Sequence, residues 1–444
     1  MRVLLVSYAE KTHFLSMVPL GWALRTAGHE VRVATQPELA DAVAGTGLTV
    51  VPVGRDHALY RHREWARRFG EEEGSGFFDM GESWPGDLTW QELTWGYREV
   101  VSWWWRTVNG PMIDDLTDFC LRWQPDLVLW EPGTFAGAIA AQASGAAHAR
   151  VLWSVDLFGW MRERFLRVLA EQPAGRRDDV LARWLGAQAG RFGGRFTEEL
   201  ARGHFTVTHM PASLGRAAGL HYVPMRYVPY NGRAVVPAWL RVPPERPRVC
   251  LSLGLSATER LGRYAVSMQG LLDALGDLDV EIVATVPPRQ RAELASVPPN
   301  ARLVSFVPLH ALMPTCSAVI DHGGPGTVCT AAVHGVPQLI LPRRLLDDRL
   351  VARGLADQGM ALMIPSDDVT EESTREHLVR LLREPDLRRG AGRLRDEMLA
   401  LPTPNDVVAE LERLTALHRA DGAAARQPSR TPTKRPQSQG APST

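Results

Sequence analysis

The sequence predicts an α/β fold made of two doubly wound parallel-sheet domains. Three observations carry this: apolar strand-like runs alternate with helical spacing over the first fifty residues, the same alternation restarts near residue 248, and a proline-rich stretch lies between. Length alone, at roughly 150 residues per domain, suggests about three units. The 444 residues are 45% apolar and 23% charged, enough to bury a full core, which excludes a disordered regulator or a disulfide-stapled peptide.

In order, residues 3–7 read as a buried strand, 15–27 as a helix stopped by Gly28, and 30–35 and 48–53 as two more strands. Strand-like runs at 126–130, 149–154 and 205–208 complete a first domain, 1–222. Residues 223–247 hold six prolines and little periodicity, as a linker would. Strands at 248–253, 280–285, 302–307, 318–321 and 338–341, with helices between, give a second domain, 248–402. A helix over 403–420 follows, with Thr403 as cap and Val407, Leu411, Leu414 and Leu417 on one face. Residues 421–444 turn Ala-, Pro-, Ser- and Gln-rich and are expected to be disordered.

Fifty basic residues against fifty acidic ones leave a formal charge of zero, so no net field draws the chain to nucleic acid or an anionic membrane. Cys120, Cys250, Cys316 and Cys329 lie far apart, without metal-ligand or disulfide spacing, and read as reduced thiols. No apolar run approaches the ~18 residues of a membrane span. A cytoplasmic protein without a bound metal is expected.

The sharpest motif is Asp321-His-Gly-Gly-Pro-Gly-Thr327, between an apolar strand and a helical stretch. Glycine lets backbone amides approach a ligand, and the free N–H groups of a helix start attract phosphate oxygens. The amides of Gly323, Gly324, Gly326 and Thr327, with Pro325 opening the helix and His322 adding a hydrogen bond or charge, suit a diphosphate. A tight turn without a ligand is the alternative. His13 lies just past the first strand, where open α/β sheets collect ligands, and neutral imidazole suits proton removal; a structural loop histidine is the plainer reading. All fourteen tryptophans fall at or before Trp239, including Trp84, Trp90, Trp95 and Trp103-Trp-Trp105. Either they form core, or the first domain presents flat apolar surface to a bulky acceptor or partner protein.

With Phe306-Val-Pro-Leu-His-Ala-Leu-Met-Pro-Thr315 upstream and Leu339-Ile-Leu-Pro342 downstream, that motif resembles the donor site of GT-B nucleotide-sugar glycosyltransferases. Within these, the likeness is to actinobacterial enzymes that attach deoxysugars to macrolide and anthracycline polyketides. Lys11-Thr-His-Phe-Leu-Ser-Met-Val-Pro-Leu20, Gly28-His-Glu-Val-Arg-Val33, Met225-Arg-Tyr-Val-Pro-Tyr-Asn-Gly232 and Val249-Cys-Leu-Ser-Leu-Gly254 extend it from Met1 to about Arg419.

The resemblance implies two Rossmann-like domains facing across a cleft, a dTDP-sugar donor and a hydrophobic polyketide aglycone. It implies transfer to a hydroxyl with inversion and no metal, and an auxiliary cytochrome-like activator protein; a homodimer is left open. It assigns Phe306 to nucleobase stacking, the Val307 backbone to the base edge, Asp347 and Asp348 to donor-sugar hydroxyls, His13 to base catalysis and Glu131 to orienting that base. Otherwise Phe306 is core, the two acids form a surface turn, and Glu131 caps the turn at Gly133. Relatives have a second histidine where Asp321 stands and an aromatic at Val328; an acid beside a diphosphate suggests a donor aminosugar touching Asp321. A sugar-nucleotide epimerase or hydrolase and a non-catalytic nucleotide-sugar binder are the competing functions.

Overall fold

The computed structural model describes residues 1–59, 88–254, 267–343, 346–365 and 367–426. Trp84 and positions 427–444 of the expected tail lie outside these. The first sheet comprises β1 (Arg2–Val6), β2 (Glu30–Thr35), β3 (Thr49–Pro52), β4 (Leu127–Trp130), β5 (Ala147–Val151), β6 (Phe205–Thr208) and β7 (Tyr222–Pro224), in the order β3-β2-β1-β4-β5-β6-β7. The second comprises β8 (Arg248–Ser252), β9 (Glu281–Thr285), β10 (Ala301–Val304), β11 (Ala318–Asp321), β12 (Gln338–Ile340) and β13 (Leu362–Met363), in the order β10-β9-β8-β11-β12-β13. All pairings are parallel.

Parallel strands are joined by crossovers that cover both faces of a sheet, so the strands are apolar throughout; β4 reads Leu-Val-Leu-Trp and is wholly buried. In each sheet the strand order reverses beside the first strand, with β1 between β2 and β4, and β8 between β9 and β11. Crossovers leave such a point on opposite faces and open a crevice beyond the carboxyl ends. Val6 is level with Trp130, and Ser252 with Asp321, so the chains carrying His13 and Glu131 leave the first sheet side by side, as do those carrying Gly254 and His322 in the second.

The structure departs from the sequence reading at several places. The single helix expected over 15–27 is two, Lys11–Leu15 and Val18–Thr26, with Pro19 opening the second. The first sheet extends into the expected linker, because Val223 and Pro224 pair with β6. The last helix runs Pro404–Arg426, past the expected end and into the stretch read as disordered. Its Val407, Val408, Leu411 and Leu414 join the core of the first domain, so the chain's end returns to its beginning. Before Asn109, a helix at Trp90–Glu99 starts on a Thr89/Glu92 capping box and continues as a π-helical turn, Val100–Trp105. Trp104, Trp105, Trp130 and Trp184 fill the first domain's core, as the plainer reading has it, whereas Trp95 and Trp103 stay 50% and 45% exposed.

A separate apolar cluster bridges the domains. Trp160, Met210, Leu214 and Tyr227 from the first domain and its linker meet Val328, Cys329, Ala332 and Val351 from the second. Val328 is part of this buried seam. Among the described residues no helix is long and apolar enough to cross a membrane.

Candidate active site

At the first switch point, the one-turn helix Lys11–Leu15 presents His13 to the end of β4. His13 Nδ1 lies 3.2 Å from Glu131 Oε2. A carboxylate at Nδ1 fixes the neutral tautomer with the proton on that nitrogen and leaves the Nε2 lone pair free to take a proton. Glu131 is fully buried; it also accepts from the Gly133 amide at 3.1 Å and from the Thr134 hydroxyl. It therefore both caps the turn and holds the Nδ1 edge of His13. The imidazole stacks on Trp153, with centroids 4.5 Å apart and planes 14° from parallel, and meets Tyr8 edge to face at 5.5 Å.

The second switch point carries the glycine motif. The helix Pro325–Val333 is capped by Gly324, and Thr327 and Val328 already donate to the Gly324 carbonyl. Pro325 has no N–H, and among the described residues the Gly324 and Gly326 amides have no backbone acceptor, so they are the donors open to an anion. Gly323 is not among them: its N–H donates to Asp321 Oδ1 at 2.7 Å. Tyr227 of the linker ties this turn to the first domain, its hydroxyl donating to the Gly326 carbonyl at 3.2 Å.

His322 is buried between two glycines. A Cβ at Gly254 would stand 2.4 Å from its ring, and one at Gly324 2.3 Å. Burial, then the nearby Arg343 guanidinium, hold the imidazole well below its ordinary range, with a carbonyl contact to Ser252 opposing them. Of the two roles expected for His322, the structure favours hydrogen bonding over a standing positive charge. Arg343, which sequence reasoning missed, is the cation here; it pairs with Asp348 at 2.8 Å. Phe306 lies just past β10, 45% exposed and open to stacking, while Val307 is buried core beside it.

The three acids expected at the donor sugar differ in placement. Asp348 is buried against Arg343. Asp321 is fully buried; its Oδ1 caps Gly323, and its Oδ2 has no hydrogen-bond partner among the described residues. Asp347 is buried too, but no hydrogen bond of normal geometry reaches either of its oxygens among the described residues. Its carboxyl is pushed up to about 7, first by burial and then by Asp348. Ser154, close by but poorly aligned for a hydrogen bond, and His13 across the cleft both oppose that rise. Asp347 is therefore the acid that shares the cleft with His13. The residue before it, Leu346, is held in the left-handed region at φ 49° and packs on the first domain's core.

Burial also lifts the Asp321 carboxyl to about 7, and Asp348 adds to this. An acid whose folded pKa is raised favours folding fully only below its unfolded value of ~3.9, and that contribution is lost as pH rises toward 7. Asp321→Asn keeps an oxygen for Gly323 and removes the titration. Its melting temperature relative to the parent should rise between pH 5 and pH 8 with donor preference unchanged; a pH-independent gap in thermal melts contradicts this.

Two parallel-sheet domains, with a His–Glu pair at one switch point and a glycine-opened helix start at the other, form the GT-B architecture of glycosyltransferases. Residues 22–254 and 269–414 match the N- and C-terminal domains described as erythromycin biosynthesis protein CIII-like, and the chain belongs to that glycosyltransferase family. It is 48% identical over 429 residues to the 10-deoxymethynolide desosaminyltransferase of Streptomyces venezuelae, covering 96% of this chain and all of that one. It is 47% identical over 433 residues to the aklavinone 7-beta-L-rhodosaminyltransferase of Streptomyces galilaeus, covering 95% and 97%. The crystal structure of glycosyltransferase VinC in complex with dTDP matches with a TM-score of 0.85 at 40% identity, over 94% of this chain and 100% of that one.

Proposed function

We propose that this glycosyltransferase moves a deoxysugar, specifically an aminosugar, from dTDP to a hydroxyl of a polyketide aglycone in antibiotic biosynthesis, with inversion at the anomeric carbon. The observation that carries this is the pairing of the two switch points, His13 and Glu131 on one and the Gly324 helix start on the other, with the unpartnered Asp347 carboxyl in the field of His13. His13 Nε2 takes the acceptor's proton as its oxygen bonds to the anomeric carbon. The bond from that carbon to the diphosphate oxygen breaks, and its electron pair leaves with dTDP, received by the Gly324 and Gly326 amides and His322. One displacement inverts the centre.

The aminosugar reading passes from Asp321 to Asp347. A buried acid near neutral pKa ionises readily against an ammonium group, and the pair forms only with a cationic sugar. The desosaminyl and rhodosaminyl transferases among the relatives support it. Asp347→Asn should lower kcat/KM by about 10- to 100-fold for a dTDP-aminosugar and much less for a neutral dTDP-deoxysugar, the range of a charge-assisted bond. Equal losses for both donors contradict the ammonium contact.

The auxiliary cytochrome-like protein belongs to the same reading, with Trp95 and Trp103 supplying exposed apolar surface on the first domain. The deciding experiment is mass spectrometry of products from panels of dTDP-deoxysugars and polyketide aglycones, with and without such a helper. A glycosylated aglycone, faster with the helper, is expected; free sugar released equally fast without aglycone points to a hydrolase.

A further inference from the structure

We propose that Trp153 is a positioning residue for the transfer: its indole face holds the His13 imidazole against Glu131 and stabilises the imidazolium formed when the acceptor proton is taken. This rests on the reading of His13 as the base. The near-parallel stack at 4.5 Å puts the imidazole on the electron-rich face of the indole, where a cation gains more than a neutral ring does. The contact therefore strengthens as the proton arrives. Glu131 holds the Nδ1 edge and Tyr8 approaches across the ring, so the imidazole is confined on three sides, and among the described residues Nε2 carries no hydrogen bond.

Trp153 is itself held at several points. It lies just beyond β5, in a loop whose Leu152 amide donates to the Val207 carbonyl at 2.9 Å. The His209 ring lies beside the Trp153 carbonyl, which opposes the fall of the His209 pKa that burial causes. Three residues on, Asp156 is clamped by the buried Arg150 guanidinium at 2.8 and 2.6 Å and by the Tyr222 hydroxyl at 2.7 Å, and it caps the helix Leu157–Glu171 through the Gly159 amide. A buried bidentate ion pair at a helix start makes a stiff mount for this loop. Among the described residues, the charged and titratable groups facing the imidazole are Glu131 from the end of β4, Asp347 from the second domain and Tyr8; Glu10 and Lys11 flank it on its own segment.

The test compares Trp153→Phe and Trp153→Leu with the parent in kcat/KM against pH, dTDP binding by calorimetry and thermal melts, with His13→Ala alongside. Trp153→Leu should lower kcat about ten-fold and Trp153→Phe about three-fold, with unchanged dTDP affinity, because the weaker ring keeps part of the interaction. Losing imidazolium stabilisation should also move the ascending limb of the pH profile to lower pH, more for Leu than for Phe. If Trp153→Leu does not fold, the smaller shift in Trp153→Phe carries the test. A profile that does not move, or equal losses in both variants that track a lower melting temperature, overturns the proposal. Full turnover in His13→Ala would instead overturn the base assignment on which it rests.

Discussion

Replacing His13 with alanine is expected to lower kcat by about 10² to 10⁴, the usual contribution of a positioned general base, and to leave dTDP affinity unchanged. The two effects separate because His13 belongs to the first domain and the diphosphate turn to the second. Glu131 does not become an unpaired buried charge in this variant, since the Gly133 amide and the Thr134 hydroxyl still donate to it. The fold should therefore survive, with a melting temperature close to the parent's. Steady-state kinetics, thermal melts and a dTDP titration check all three points. Loss of dTDP binding together with turnover would place His13 at the donor instead.

Gly324→Ala is expected to weaken dTDP binding by about 10²-fold or more, because removing the geometry of a helix-start anion site removes its hydrogen bonds together. Gly324 has φ −63° and ψ 129°, which any residue adopts, so glycine is required there for space. The added Cβ would stand 2.3 Å from His322 Nε2, against a ring that also abuts Gly254, where a Cβ would stand 2.4 Å away. Either the histidine leaves the site or the helix start shifts. Calorimetry on the variant decides it: undiminished affinity would mean that the diphosphate binds elsewhere.

Much of the fold was legible because parallel strands buried on both faces are short uninterrupted apolar runs, as in Leu127–Trp130 and Ala318–Asp321. The glycine motif was legible for a similar reason, since a strand, a glycine turn and a helix start are neighbours in the chain. The two-residue β13 carries too little pattern to stand out. The docking of Val407, Val408, Leu411 and Leu414 on the first domain was hidden because amphipathic spacing shows that a helix has a partner, without naming it.

The turn that Asp321 caps was legible in the chain. Alternation along β11 puts Asp321 on the face of the buried Val319, and an acid two residues before a glycine is the signature of a side chain capping a turn. Arg343 and Trp153 had no such local signal. Arg343 meets His322 and Asp348, and Trp153 meets a histidine 140 positions earlier, through contacts that only the assembled crevice creates.

The proposed attack, with His13 as base opposite a diphosphate at the Gly324 helix start, makes one stereochemical demand. The anomeric configuration of the glycosylated product, read by proton NMR against that of the dTDP-sugar supplied, should be opposite to the donor's. Retained configuration would require two displacements or attack from the face the diphosphate leaves, and would contradict a single back-face attack by an oxygen deprotonated at His13.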